Sequence, residues 1–112
     1  MQGRTLIISS DRLGCGDGKL GAQLMGNFLR RLWSLEVKPA RMVFYNGGVQ
    51  LLAEGSPVLD ALCGLDQAGV DLVACSTCVT FFESKDKLVV GRISDMTGIA
   101  TTVVNSDSVV TV

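Results

Sequence analysis

Histidine is absent from these 112 residues, and that gap removes more chemistry than any other in the composition. Without an imidazole there is no Ser-His-Asp triad, no Cys-His protease pair and no HExxH metal site, so a nucleophile has to be activated by electrostatics alone. Proline occurs twice, at Pro39 and Pro57, and neither stands where a thioredoxin-type CxxC would face a cis-proline. Aromatic residues make up only 5% of the chain. No apolar run approaches the roughly 18 residues that span a bilayer, and TLIIS near the start is too short for a signal-peptide core. No excess of one charge exists either: 10 Lys and Arg stand against 11 Asp and Glu. A broad basic field for a phosphate backbone is therefore missing, and nucleic acid is not an expected partner. These gaps predict a soluble, cytoplasmic protein that engages no membrane.

What the chain does have is apolar content: 47% hydrophobic residues and a mean hydropathy of +0.38. That is enough for one domain over residues 1–112 and too short a chain for two. Four cysteines without a secretory signal point to reduced thiols rather than a disulfide framework. Strands and helices alternate. RTLIIS, Arg4 to Ser9, reads as a first strand running into the polar loop SDRLGCGDG. From Lys19 to about Leu35, Leu20, Leu24, Phe28 and Leu32 recur every fourth residue, with Met25, Leu29 and Trp33 or Leu35 widening the stripe and Asp17 in the N-cap position. PARMVFYN reads as a second strand ending at Asn46-Gly47-Gly48. Ser56 caps and Pro57 opens a second helix, whose Val58, Leu62 and Leu65 keep helical spacing until Gly69. VDLVAC is a third strand, apolar enough for burial on both faces. KLVVGRIS reads as a fourth strand and Ser94-Asp95 as the start of a short helix to about Thr102, although ATTVV is β-branched enough for a strand. SVVTV is a fifth strand. The expected fold is a small three-layer α/β sandwich with a mostly parallel five-stranded sheet.

In such a sheet the loops after the strands meet at the carboxyl edge, where open α/β folds build their sites. Three segments converge there: the loop with Cys15 and Asp17, the turn with Asn46, and the CxxC of Cys75 and Cys78, with Ser76 and Thr77 between its cysteines. Cys75 closes its strand and Cys78 falls in the first turn of a short helix through Phe82. Free backbone N–H groups and the positive end of the helix dipole would lower a thiol pKa there, from about 8.5 towards roughly 3.5–7.5. Thiolates without a base suit the acceptance and hand-over of sulfur as a persulfide; they suit acyl transfer badly.

The segments GDGKLGAQLM, FYNGGVQLLAEGSPVLDAL, GVDLVACSTC and GRISDM, in that order and covering nearly all of the chain, resemble the DsrE-like family of small sulfur-relay proteins. The resemblance is closer to the C-terminal domain of sulfurtransferase-like proteins associated with selenium metabolism. It implies a five-stranded α/β fold, oligomers in many relatives, and a sulfur-accepting cysteine at the end of the third strand. That cysteine maps to Cys75, with Cys78 as the second thiol. Its implied partners are sulfur donor and acceptor proteins, with selenium as an alternative cargo. Those relatives carry a separate N-terminal sulfurtransferase domain with a Cys-Pro motif, which has no counterpart in these residues. Cys15 stands where that subgroup has a charged or polar residue.

Plainer readings accompany each feature. Cys63 sits mid-helix and reads as core, which leaves no second ligand pair for zinc; no metal or cofactor is expected. GCGDG lacks the GxGxxG and Walker spacings and reads as a flexible turn. Asp17 reads as a cap and Asn46 as a turn residue, with lining the site as a second role. Lys85 and Lys87 read as solvated charges. Cys15 reads as a small residue in a turn or, because the loops after strands one and three share an edge, as a third thiol that resolves a persulfide. The alternative to relay is a non-catalytic oligomeric scaffold with redox-sensitive thiols. A sheet this small leaves edges and apolar surface exposed, which predicts a homo-oligomer.

Overall fold

The computed structural model describes residues 3–112. Five strands, β1 (Arg4–Ile8), β2 (Arg41–Phe44), β3 (Asp71–Cys75), β4 (Arg92–Ser94) and β5 (Ser108–Thr111), form one sheet in the order β4-β3-β2-β1-β5. Every pairing is parallel. Side chains alternate across it. Leu6, Ile8, Met42, Phe44, Leu72 and Ala74 enter one core, while Ile7, Val43, Val73 and Cys75 enter a second. Helices α1 (Gly18–Ser34), α2 (Leu59–Gln67) and α3 (Ser76–Phe81) lie with the first core, and α4 (Met96–Asn105) covers the second through Ile99. Right-handed crossovers explain this division: the chain steps one way from β1 to β4 with helices on one face, then returns past the whole sheet to β5 with its helix on the other.

The face of α1 that packs inward is the part of the expected stripe carried by Met25, Leu29 and Leu32, not the part at Leu20 and Leu24. Gly21, Met25, Leu29 and Leu32 are buried, whereas Leu20 is 52% exposed and Leu24 also faces solvent. The two stripes lie one residue apart, and glycine decides between them. A Cβ at Gly21 would stand 3.0 Å from Arg12 Cβ and 3.2 Å from the Leu13 carbonyl, and one at Gly26 3.7 Å from Val58 Cγ1. The glycine-bearing stripe can approach its neighbours closely, and apolar periodicity gives glycine no weight. Arg30 of α1 forks onto Asp60 of α2 at 3.3 Å through two nitrogens and donates to the Pro57 carbonyl at 2.9 Å.

Other boundaries shift. Ser56 Oγ accepts from the Val58 N–H at 3.3 Å, but α2 begins only at Leu59. Gly69 ends the turn after it with φ +96°, as a chain-reversing glycine does. Of the expected fourth strand only Arg92–Ser94 pairs; Leu88 makes an isolated antiparallel bridge to Ala53 instead. ATTVV is helical, with α4 continuing to Asn105 behind an Asp95 cap whose carboxylate accepts from the Gly98 N–H at 2.8 Å. Its Ile99 and Thr102 are buried, so tertiary packing overrides β propensity. The residues after Asn46, expected to be a turn, form a 3-10 helix from Asn46 to Leu52.

At the amino edge of the α4 face, Arg41 is buried. Its Nη1 donates to Thr5 Oγ1 at 2.9 Å and to Ser106 Oγ at 3.2 Å, and the two hydroxyls meet at 2.6 Å. Among the described residues, no helix is long and apolar enough to cross a membrane.

Candidate functional site: the cysteine pair at the carboxyl edge

Cys75 is both the last residue of β3 and the N-cap of α3, and Cys78 is the third residue of that helix. Spacing i, i+3 puts the two thiols on one side of a helical turn, near enough for Cys75 to influence the Cys78 proton. Their surroundings differ. Cys75 is 1% exposed, sealed beneath α4 with Val43, Val73 and Ile99. Cys78 is half-buried, touches both cores and lines an apolar cavity of about 260 Å³ with Asn46, Thr77, Phe81 and Phe82.

The third side of the site is the start of the 3-10 helix. Asn46 adopts φ +52°, a left-handed conformation that asparagine tolerates better than most residues. In that pose its backbone N–H donates to Cys78 Sγ at 3.0 Å. Gly48 seats the segment on the end of β1, since a Cβ there would lie 2.2 Å from the Ile8 carbonyl oxygen. On the other side, Val79 is buried as the anchor of α3, Phe82 packs into the α1/α2 core, and Phe81 stands 78% exposed with its ring edge-on to Phe82 at 5.1 Å.

These surroundings reverse the expected acidity of Cys78. Burial is the largest influence and pushes the thiol pKa up; the Asn46 N–H opposes it, and contact with Cys75 adds to the rise. No cation lines the cavity among the described residues, and α3 has only six residues. The strand-end setting therefore holds Cys78 as a thiol, because desolvation of the anion outweighs one N–H donor.

The structure thus gathers Cys75, Cys78, Asn46 and Thr77. Ser76, half-buried at the start of α3, is outside the cavity lining. Asp17 caps α1, its Oδ1 accepting from the Leu20 N–H at 2.9 Å. Cys15 is exposed in the β1–α1 loop and does not line the cavity; β2 separates β1 from β3. Cys63 is half-buried in α2. No group of three or more metal-ligating side chains forms among the described residues. Phe81 and Phe82 were not anticipated as walls of the site. The available signal was Phe82 four residues after Cys78, on the same helical face.

No protein-family model matches the chain, and no curated protein matches it in sequence. Solved structures do. The YchN protein from E. coli superposes with a TM-score of 0.74 at 19% identity, covering 100% of both chains. A protein of unknown function from Methanobacterium thermoautotrophicum, MTH1491, gives 0.65 at 20% identity over 94% of this chain and 96% of its own. At these identities the likeness carries the fold alone: a DsrE-like α/β arrangement around a five-stranded parallel sheet.

Proposed function

We propose that this chain is a sulfur-relay module in which Cys78 is the entry thiol and Cys75 the second thiol behind it. The observation that carries the reading is the placing of Cys78: a half-buried thiol open to an apolar cavity, with one N–H donor at 3.0 Å and a second cysteine three residues before it. Cys78 first gives its proton to water, and the thiolate fraction that its raised pKa leaves attacks the outer sulfur of a donor persulfide; the donor S–S bond breaks, and its electron pair leaves on the donor thiolate. Cys78 then holds the outer sulfur as a persulfide. An acceptor thiolate attacking that outer sulfur restores Cys78. If Cys75 attacks the inner sulfur instead, hydrosulfide leaves, both cysteines are oxidised to a disulfide, and a thiol reductant must reset the pair. Selenium in place of the moving sulfur follows the same steps.

The apolar walls suit this exchange because they exclude water from the persulfide, and the exposed Phe81 beside them offers a contact for donor and acceptor proteins. A homo-oligomer is part of the proposal, since apolar side chains remain exposed along the sheet and helices. Intact mass after incubation with polysulfide tests it. Persulfide adds about 32 Da per sulfur atom and disulfide removes about 2 Da. The gain should survive in Cys75→Ser and vanish in Cys78→Ser. A wild-type mass that does not change would leave the fold as a scaffold.

A further inference from the structure

A second cavity of about 400 Å³ adjoins the first, and Phe82 lines both. The 3-10 helix contributes to both, Asn46 to the smaller and Gln50 and Leu51 to the larger. The characters of the two spaces are opposite. The larger one is lined by two cations, Arg12 and Lys87, and two anions, Asp11 and Glu54. None of the four is in an ion pair among the described residues. Arg12 packs along the start of α1, where the absence of side chains at Gly18 and Gly21 leaves it room. Residues of both signs, unpaired and lining one cavity, complement a ligand carrying both charges.

We propose that this cavity binds a low-molecular-weight zwitterionic thiol of the amino-acid class, and that this thiol exchanges sulfur with Cys78 alongside the protein partners. Its carboxylate is held by Arg12 and Lys87, its ammonium by Asp11 and Glu54, and its sulfur passes Phe82 into the apolar cavity. The transfer rests on the relay role of Cys78 given above and is balanced: the thiolate of Cys78 takes the outer sulfur of the small persulfide with its proton, and the small thiol leaves as thiolate. In reverse, the small thiol unloads Cys78. No oxidant or reductant enters.

S-Methyl-L-cysteine, a zwitterion whose thioether cannot accept sulfur, separates binding from transfer. Amide NMR shifts at Asp11, Arg12, Glu54 and Lys87 should saturate with it and be absent with the neutral S-methyl-N-acetylcysteine methyl ester. Arg12→Ala and Lys87→Ala, both exposed positions, should each weaken binding by about tenfold, the loss of one charged hydrogen bond. Polysulfide-loaded protein should then discharge faster with L-cysteine than with the neutral N-acetylcysteine methyl ester, and this preference should shrink in both variants. Shifts that do not saturate, that the neutral analogue reproduces, or that both variants leave intact overturn the cavity assignment. A protein that binds S-methyl-L-cysteine but never gains sulfur mass keeps the binding site and refutes the relay and the exchange together; one that loads without preferring L-cysteine keeps the relay and refutes the exchange.

Discussion

The backbone N–H of Asn46 donates to the Sγ of Cys78 at 3.0 Å across 32 residues of sequence, and this donor alone opposes the burial that raises the thiol. Because the folded protein holds the proton more tightly than the unfolded chain, the neutral thiol contributes stability below the ordinary thiol range. That contribution is lost as pH climbs through the raised value. Alkylation of Cys78 by iodoacetamide at pH 7 should accordingly be slower than that of a free thiol, and should rise about tenfold per pH unit past the ordinary range. Cys75→Ala, which removes one of the raising influences, should move the profile to lower pH. A plateau already reached near neutrality would contradict the burial argument.

Gly48 and Gly64 make a contrasting pair. A Cβ at Gly48 meets the Ile8 carbonyl at 2.2 Å, which is backbone at the end of β1; one at Gly64 meets Trp33 Cε2 at 2.1 Å, which belongs to an exposed side chain. Gly48→Ala should destabilise by about 3 kcal/mol, at the upper end of overpacking, and should free Cys78 from Asn46. Gly64→Ala should cost less than about 1 kcal/mol, because Trp33 can turn outward and alanine favours the helix. Chemical denaturation with tryptophan fluorescence reads both. Equal costs would mean that Trp33 is as immovable as the backbone.

Arg41→Ala should cost about 3 kcal/mol, because it strips the Thr5 and Ser106 hydroxyls of their guanidinium and opens space beneath α4. Urea unfolding measures the loss. A change below about 0.5 kcal/mol would show that the hydroxyls and water compensate.

Assembly is open to direct measurement. At the amino edge, a groove of about 630 Å³ lies between α1 and β5; Leu6, Phe28 and Leu32 form its floor and the exposed Leu35, Val37 and Val110 its rim. We expect light scattering to report a homo-oligomer at micromolar concentration and Val37→Asp with Val110→Asp to reduce its mass. A wild-type monomer would refute this.

Much of the fold is legible because its signals are local. The strand runs of β1 and β3, the Asp17 cap, the start of a helix at Ser94-Asp95 and the strand-end position of the CxxC all follow from short stretches read with simple periodicities. What is not legible depends on contacts between distant segments. The inward face of α1 is chosen by glycines packed on Arg12, Leu13 and Val58. The 3-10 helix from Asn46 to Leu52 looks like a turn because its Gly48 serves a close approach to the end of β1. The proton affinity of Cys78 is set by its burial and by the N–H of Asn46, 32 residues away, which no spacing rule contains.

The pairing of β5 with β1 has a further bearing on how the molecule forms and opens. Gly3 N–H reaches Asp107 Oδ2 at 2.8 Å across 104 residues, and Val112 N–H reaches the Ile7 carbonyl at 2.9 Å. A contact so remote in sequence carries a large loop-closure cost before it is rewarded. In this sheet β5 has β1 as its sole neighbour. Amide hydrogens of Val109 to Val112 should exchange with solvent sooner than those of β2, which is flanked on both sides. Each such opening bares one side of β1, the strand on whose end Gly48 sits two residues after the Asn46 that donates to Cys78.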